Sequence, residues 1–93
     1  MDIQNGTVLL LIEGNGCVSC YELAPVLNRV ANAHGVRVER ADAETLGEAF
    51  LTERNIMRAP TVLLMKDGVE LGRFSGYQPE EILELWLVAK LGE

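Results

Sequence analysis

The sequence is poor in the residues that mark several common functional classes. It has two cysteines and one histidine in 93 residues. Two cysteines cannot build the disulfide framework of a small secreted scaffold. Together with one histidine they also fall short of the four ligands of a structural zinc site, and His34 lies more than three helical turns beyond Cys20. Basic residues are few as well. The eight Lys and Arg are scattered and outnumbered by 14 Asp and Glu, giving a formal net charge of −6. A nucleic-acid footprint would show clustered Lys and Arg, so no nucleic-acid partner is expected. No apolar stretch approaches the ~18 residues of a membrane span. The run Val8 to Ile12 is too short for the h-region of a signal peptide, and no basic n-region precedes it. Repeats, low-complexity tracts and linkers are also missing. The expectation is one domain spanning residues 1–93, cytoplasmic and monomeric, with no membrane association.

The apolar fraction of 48% is ordinary for a folded chain. Val8-Leu9-Leu10-Leu11-Ile12, closed by Glu13-Gly14-Asn15-Gly16, predicts a central strand buried on both faces. Leu23, Val26, Leu27, Val30 and His34 recur at helical spacing, with Gly35 as the stop and Pro25 as an interior kink. Val36 to Ala41 alternates at period two, as a half-exposed strand does. The helix between two strands makes a right-handed βαβ unit, so those strands run parallel. Thr45 and Glu48 have capping-box spacing and predict a short helix bearing Leu46, Ala49 and Phe50 and ending near Asn55. Asp42 is expected to cap or turn the chain before it. Thr61 to Lys66 reads as a second buried strand, and Asp67-Gly68 as a hairpin turn into Val69 to Ser75. A last helix starts at Pro79-Glu80-Glu81, with Ile82, Leu85, Trp86 and Ala89 expected to face the core. The order β-α-β-α-β-β-α predicts an α/β fold with a four-stranded mixed sheet flanked by helices.

Cys17-Val18-Ser19-Cys20 falls between the first strand and the first helix. A thiol at a helix N-terminus faces unpaired backbone N–H groups and the positive end of the dipole, which stabilise its thiolate. Two intervening residues let both sulfurs meet within the first turn. Cys17 is then the exposed nucleophile, and Cys20, one turn in, resolves the mixed disulfide. The competing reading is inert or metal-binding cysteines. Ser19 either donates to a sulfur or caps backbone amides. Tyr21 lies either beside the sulfur or on the surface. Pro60 stands just before a buried strand, where proline is otherwise hard to place; its bond to Ala59 is either cis or an ordinary trans strand start.

Cys17–Cys20, Pro25, Pro60 followed by Thr61, the Lys66-Asp67-Gly68 hairpin and Gly76 fall at the relative spacings of thioredoxin. Over roughly residues 7–91 the sequence resembles the thioredoxin family. The resemblance implies a thioredoxin-like fold, a cis Pro60 and disulfide exchange through Cys17 and Cys20. It implies a substrate surface at Val18, Ser19, Arg58, Ala59, Pro60, Gly76 and Tyr77, and no organic cofactor or metal, because the redox group lies in the chain. The implied partners are protein or small-thiol disulfides, with a thioredoxin-reductase-like or thiol electron donor.

The departures from the family pattern matter as much. The family's first strand and helix are not represented. Gly16 replaces the usual aromatic residue, and Val18-Ser19 replaces Gly-Pro. Leu11 aligns with the family's buried acid, and Val38 with a nearby lysine. Glu13 is the candidate substitute as proton acceptor, against the alternative of a solvated loop carboxylate. Arg58 stands where a small residue is usual. It contacts an acidic substrate or the Cys17 thiolate, or it is a solvated surface arginine. The short length is also like glutaredoxin, which would imply use of glutathione. A second function class stays open: a thioredoxin-like binding or adaptor module with vestigial or metal-bearing cysteines.

Overall fold

A computed structural model describes residues 1–92 of the chain. The strands are β1 (Thr7–Glu13), β2 (Arg37–Asp42), β3 (Thr61–Lys66) and β4 (Val69–Ser75). The helices are α1 (Val18–Ala33), α2 (Ala43–Leu46), α3 (Glu48–Glu53) and α4 (Glu80–Leu91). The sheet order is β2-β1-β3-β4, with β1 and β2 parallel and the β1–β3 and β3–β4 pairs antiparallel. The expected four-stranded mixed sheet is therefore present, and β1 is central.

Burial of β1 on both faces explains its uninterrupted apolar run. Leu9 and Leu11 point to one face, where they pack with Leu23, Leu27, Leu83 and Leu87 of α1 and α4. Val8, Leu10 and Ile12 point to the other, where Ile3, Ile56, Leu63 and Met65 complete a second core and Leu46, Phe50 and Leu51 cover it. This two-faced sheet fixes the ends of β1 and β3 rigidly, and the functional residues stand at those ends.

Three expectations are corrected. The single helix capped by Thr45 and Glu48 is two helices, with Gly47 between them at φ 86° and ψ 161°. That conformation is open to glycine and ends the first helix after one turn. Asp42 is the residue that caps α2, its side chain accepting from the Glu44 N–H at 2.9 Å. The core stripe of α4 is shifted: Leu83 and Leu87 are buried, whereas Ile82 and Leu85 are exposed at 48% and 68%. This helix is apolar nearly all round, so periodicity alone does not select the inward face; packing against α1 does. Trp86 is partly buried and meets Phe74 edge-on at 4.9 Å. Pro79 takes the N-cap position rather than the first helical one.

Other expectations are met. α1 ends at Ala33 with His34 as C-cap and Gly35 at φ 67°, and Pro25 lies inside it. Asp67 and Gly68 both take positive φ, as a primed hairpin turn requires. On β4, Arg73 holds Glu70 through two hydrogen bonds of 2.7 Å, and this guanidinium keeps the Glu70 carboxyl below its usual value of 4.5. A depressed folded-state value means the pair's contribution is full above pH 4.5 and fades as pH falls through the folded value. Glu70→Gln should therefore cost about 0.5–1 kcal/mol at neutral pH and less at about pH 3. Urea unfolding of both proteins at the two pH values measures this.

Candidate active site

The site is assembled where β1 runs into α1. Residues 14–16 make the turn, and Gly16 takes φ 67°. A side chain there would carry left-handed strain of about 1 kcal/mol, so Gly16→Ala should lower the urea midpoint accordingly. Cys17 is the N-cap of α1: its backbone is extended, and its Sγ accepts from the Cys20 N–H at 3.1 Å. The cap is thus sulfur, and the Ser19 hydroxyl does not supply it. Cys17 and Cys20 are joined by a disulfide across a Cα–Cα distance of 5.3 Å. Cys17 is half-buried and Cys20 only 2% exposed, so only one sulfur is open to a partner. The first turn of α1 has no acidic residue to offset the positive end of its dipole.

The loop before β3 comes up beside this turn. The Ala59–Pro60 bond is cis. A Cβ built on Gly14 would lie 3.1 Å from the Ala59 Cβ, so the cysteine turn and the proline loop are in contact. Pro60 is buried, and its carbonyl accepts from the Gly76 N–H at 2.9 Å, tying the start of β3 to the end of β4. The Thr61 hydroxyl donates to the Arg58 carbonyl at 2.6 Å and shares a 3.2 Å hydrogen bond with Ser75. Among the described residues neither the N–H nor the C=O of Ala59 enters a backbone hydrogen bond. Around this point Val18 is 71% exposed and Tyr77 46%, and Arg58 is also exposed. Among the residues singled out from the sequence, the structure joins Cys17 to Cys20 and Pro60 to Gly76, and sets Ala59 against Gly14 of the cysteine turn. Tyr21 is 82% exposed and faces a cleft shared with Pro25 and Arg40.

Glu13 closes β1. Both of its carboxylate oxygens are held by Arg40 of β2, at 2.9 and 2.8 Å, and the bond raises the Arg40 pKa further. The sequence did not pair these two; the register Glu13↔Asp42 puts Arg40 two residues from the facing position on a parallel neighbour. Leu11 is 0% exposed in the core under α1. Sequence reasoning also missed Met57, 92% exposed beside Arg58. The loop also holds Ile56, Ala59 and Pro60, so nothing in the sequence marks Met57 as the exposed one.

The thioredoxin family model matches residues 2–89. The chain belongs to the thioredoxin family. The thioredoxin of Alicyclobacillus acidocaldarius is 38% identical over 72 residues, covering 76% of this chain and 69% of that protein. The thioredoxin of Staphylococcus haemolyticus is 27% identical over 84 residues, covering 88% and 80%. A solved mutant thioredoxin from Halobacterium salinarum superposes with a TM-score of 0.78 at 23% identity, over 95% of this chain and 77% of that one. With its disulfide-linked Cys17–Cys20 pair, this thioredoxin-family chain is a thiol–disulfide oxidoreductase. Thioredoxins carry their redox group as a disulfide in the chain rather than as a bound cofactor. Among the described residues no group of three or more His, Cys, Asp and Glu is placed to hold a metal ion. No helix among them is long and apolar enough to cross a membrane.

Proposed function

We propose that this single domain reduces disulfides of proteins or small thiol compounds in a reducing compartment, the cytoplasm. The observation that carries the reading is the Cys17–Cys20 disulfide closing the first turn of α1, with one sulfur accessible and the other 2% exposed. In the reduced form the Cys17 thiolate attacks one sulfur of a substrate disulfide. A Cys17–substrate bond forms, and the other substrate sulfur leaves as a thiolate and takes up a proton. Cys20 then loses its proton and attacks the Cys17 Sγ. The mixed disulfide breaks, and the second substrate sulfur leaves and is protonated. Two electrons pass to the substrate, and the protein is left with its Cys17–Cys20 bond. A thioredoxin-reductase-like enzyme or a dithiol donor returns the two electrons.

The unpaired backbone of Ala59 supports docking of an extended substrate segment, with Pro60, Gly76, Tyr77, Val18 and Ser19 forming the rest of the surface. Protonating Glu13 would cost its ion pair with Arg40, whereas the first leaving thiolate is a base generated by the reaction itself.

Reduction of insulin with dithiothreitol as donor tests the proposal. The wild type should accelerate precipitation of the B chain, and Cys20→Ser should accumulate a mixed disulfide with insulin visible on a non-reducing gel. No acceleration by the wild type, with Cys20→Ser trapping nothing, would favour a binding module.

A further inference from the structure

A pocket of about 180 Å³ lies beside Ala59, on the side of the proline loop facing β1 and β2 and away from Gly76 and Tyr77. Ile12, Ala43, Leu51 and Ile56 form its apolar wall, and Met57, Arg58 and Ala59 form its rim. Ligand pockets for whole small molecules run from about 300 Å³ upward; this one is the size of a side chain. Its rim includes Ala59, whose backbone is unpaired, so a segment running along Ala59 from the disulfide passes its mouth.

The charge at the rim is uncommitted. Of the arginines, Arg29, Arg37, Arg40 and Arg73 are each held by a carboxylate, and Arg54 lies over the Phe50 ring at 4.7 Å. Arg58 has no carboxylate partner among the described residues, although its backbone carbonyl is anchored by the Thr61 hydroxyl at 2.6 Å. A fixed backbone with a free guanidinium presents one positive charge on the loop that meets the cysteine turn through Ala59 and Gly14, in a chain whose net charge is −6. The adjoining Met57 is 92% exposed and offers a flexible apolar contact at the same rim.

We infer that this pocket and Arg58 select protein disulfide substrates in which an apolar side chain next to a carboxylate flanks the attacked cysteine. The inference rests on the disulfide-reductase reading above and specifies its substrate class. The apolar side chain enters beneath Met57, and the carboxylate pairs with Arg58. Glutathione supplies carboxylates but no apolar side chain for the wall, so a peptide segment is the occupant. The electron transfer is the exchange already described and needs no further reactant.

The test uses homodisulfides of short capped peptides whose cysteine is flanked, on either side, by Leu-Glu, Leu-Lys or Ser-Glu. Hydroxyethyl disulfide reports reductase activity without side chains to recognise. The wild type should reduce the better-placed Leu-Glu peptide with a kcat/KM about tenfold above Ser-Glu, the scale of one buried leucine. Arg58→Glu should lower the Leu-Glu to Leu-Lys ratio about fivefold. Lys66→Glu, which makes the same change in net charge at the far end of β3, should leave that ratio alone. Ala43→Leu, which fills the pocket, should remove the preference for Leu-Glu over Ser-Glu. An unchanged ratio in Arg58→Glu, an equal shift in Lys66→Glu, or faster turnover of glutathione disulfide than of the Leu-Glu peptide overturns the inference. Failure of the wild type to reduce hydroxyethyl disulfide overturns the reductase reading instead.

Discussion

Cys17→Ser is expected to lower disulfide reduction by about three orders of magnitude or more, to the uncatalysed rate. The reason is chemical. A serine hydroxyl stays protonated at neutral pH and does not attack sulfur, whereas a thiolate at a helix N-terminus is both present and stabilised. The substitution is unusually clean in structural terms. Cys17 is the N-cap of α1, and serine is among the best residues for that position, so the bond from the Cys20 N–H keeps an acceptor. What the variant loses in stability is the disulfide. Closing a loop of this length contributes about 2 kcal/mol in the chain-entropy treatment. Unfolding of Cys17→Ser should therefore match that of the reduced wild type within a few tenths of a kcal/mol, about the difference between good caps. Insulin turnover and urea unfolding measured on the same preparations separate the two effects. Residual turnover above background would remove Cys17 from its role. A stability well below that of the reduced wild type would show that the sulfur does more in the fold than cap the helix.

Much of the fold was legible because its strands have strong, opposed patterns. Thr61–Lys66 and Val69–Ser75 are found where the sequence puts them, since a buried run, a primed turn and a half-exposed run leave little choice of bounds; the register shift between Leu64 and Met65 was not legible. Where patterns weaken, the reading weakens in a way that has a cause. In α4 the apolar residues Ile82, Leu83, Leu85, Trp86 and Leu87 surround most of the helix, and only contact with α1 and the sheet decides that Leu83 and Leu87 turn inward. Between β2 and β3 the capping-box spacing of Thr45 and Glu48 was outcompeted. Asp42 offers a carboxylate cap three residues earlier, and Gly47 interrupts the helix inside the supposed box.

The candidate site divides similarly. Cys17 and Cys20 are close in sequence, so their meeting follows from one helical turn. Their neighbours come from distant segments, and only a resemblance to known proteins could place Pro60 and Gly76 beside them. Nothing local in the sequence reveals that Gly14 leaves room for Ala59, that Arg40 occupies Glu13, or that Arg58 has no carboxylate partner among the described residues while most other arginines have one. Those are facts of packing between segments, and they carry whatever is particular to this thioredoxin-family chain.

Leu11→Asp is expected to destabilise the fold by about 4 kcal/mol at pH 7, with a fall in Tm of about 20 °C. The resemblance aligns Leu11 with a buried acid of the family, yet here the position is 0% exposed and belongs to the apolar core with Leu9, Leu23, Ala24 and Leu27. Val62 faces it across β3, and Arg40 is its register partner on β2. Arg40 is already engaged by Glu13 and is exposed, so it does not stand ready to neutralise a charge in the core. An aspartate here would have its folded-state pKa raised by burial above the usual ~3.9. The penalty should therefore be smallest below that value, grow as pH rises toward the folded value, and stay constant above it. Leu11→Asn, similar in size and polarity but not titratable, should lose stability equally at every pH. Thermal unfolding of both variants between pH 3 and pH 8 checks the difference in slope, at roughly 1.4 kcal/mol for each unit by which the pKa is raised. Parallel curves for Asp and Asn would mean that water or Arg40 reaches the position. A steeper decline for Asp would establish that this chain has exchanged a titratable core position for hydrocarbon packing. The proton of Cys20 then has no carboxylate at position 11 to receive it, and leaves by way of the reacting sulfurs, solvent or Glu13 at the end of β1.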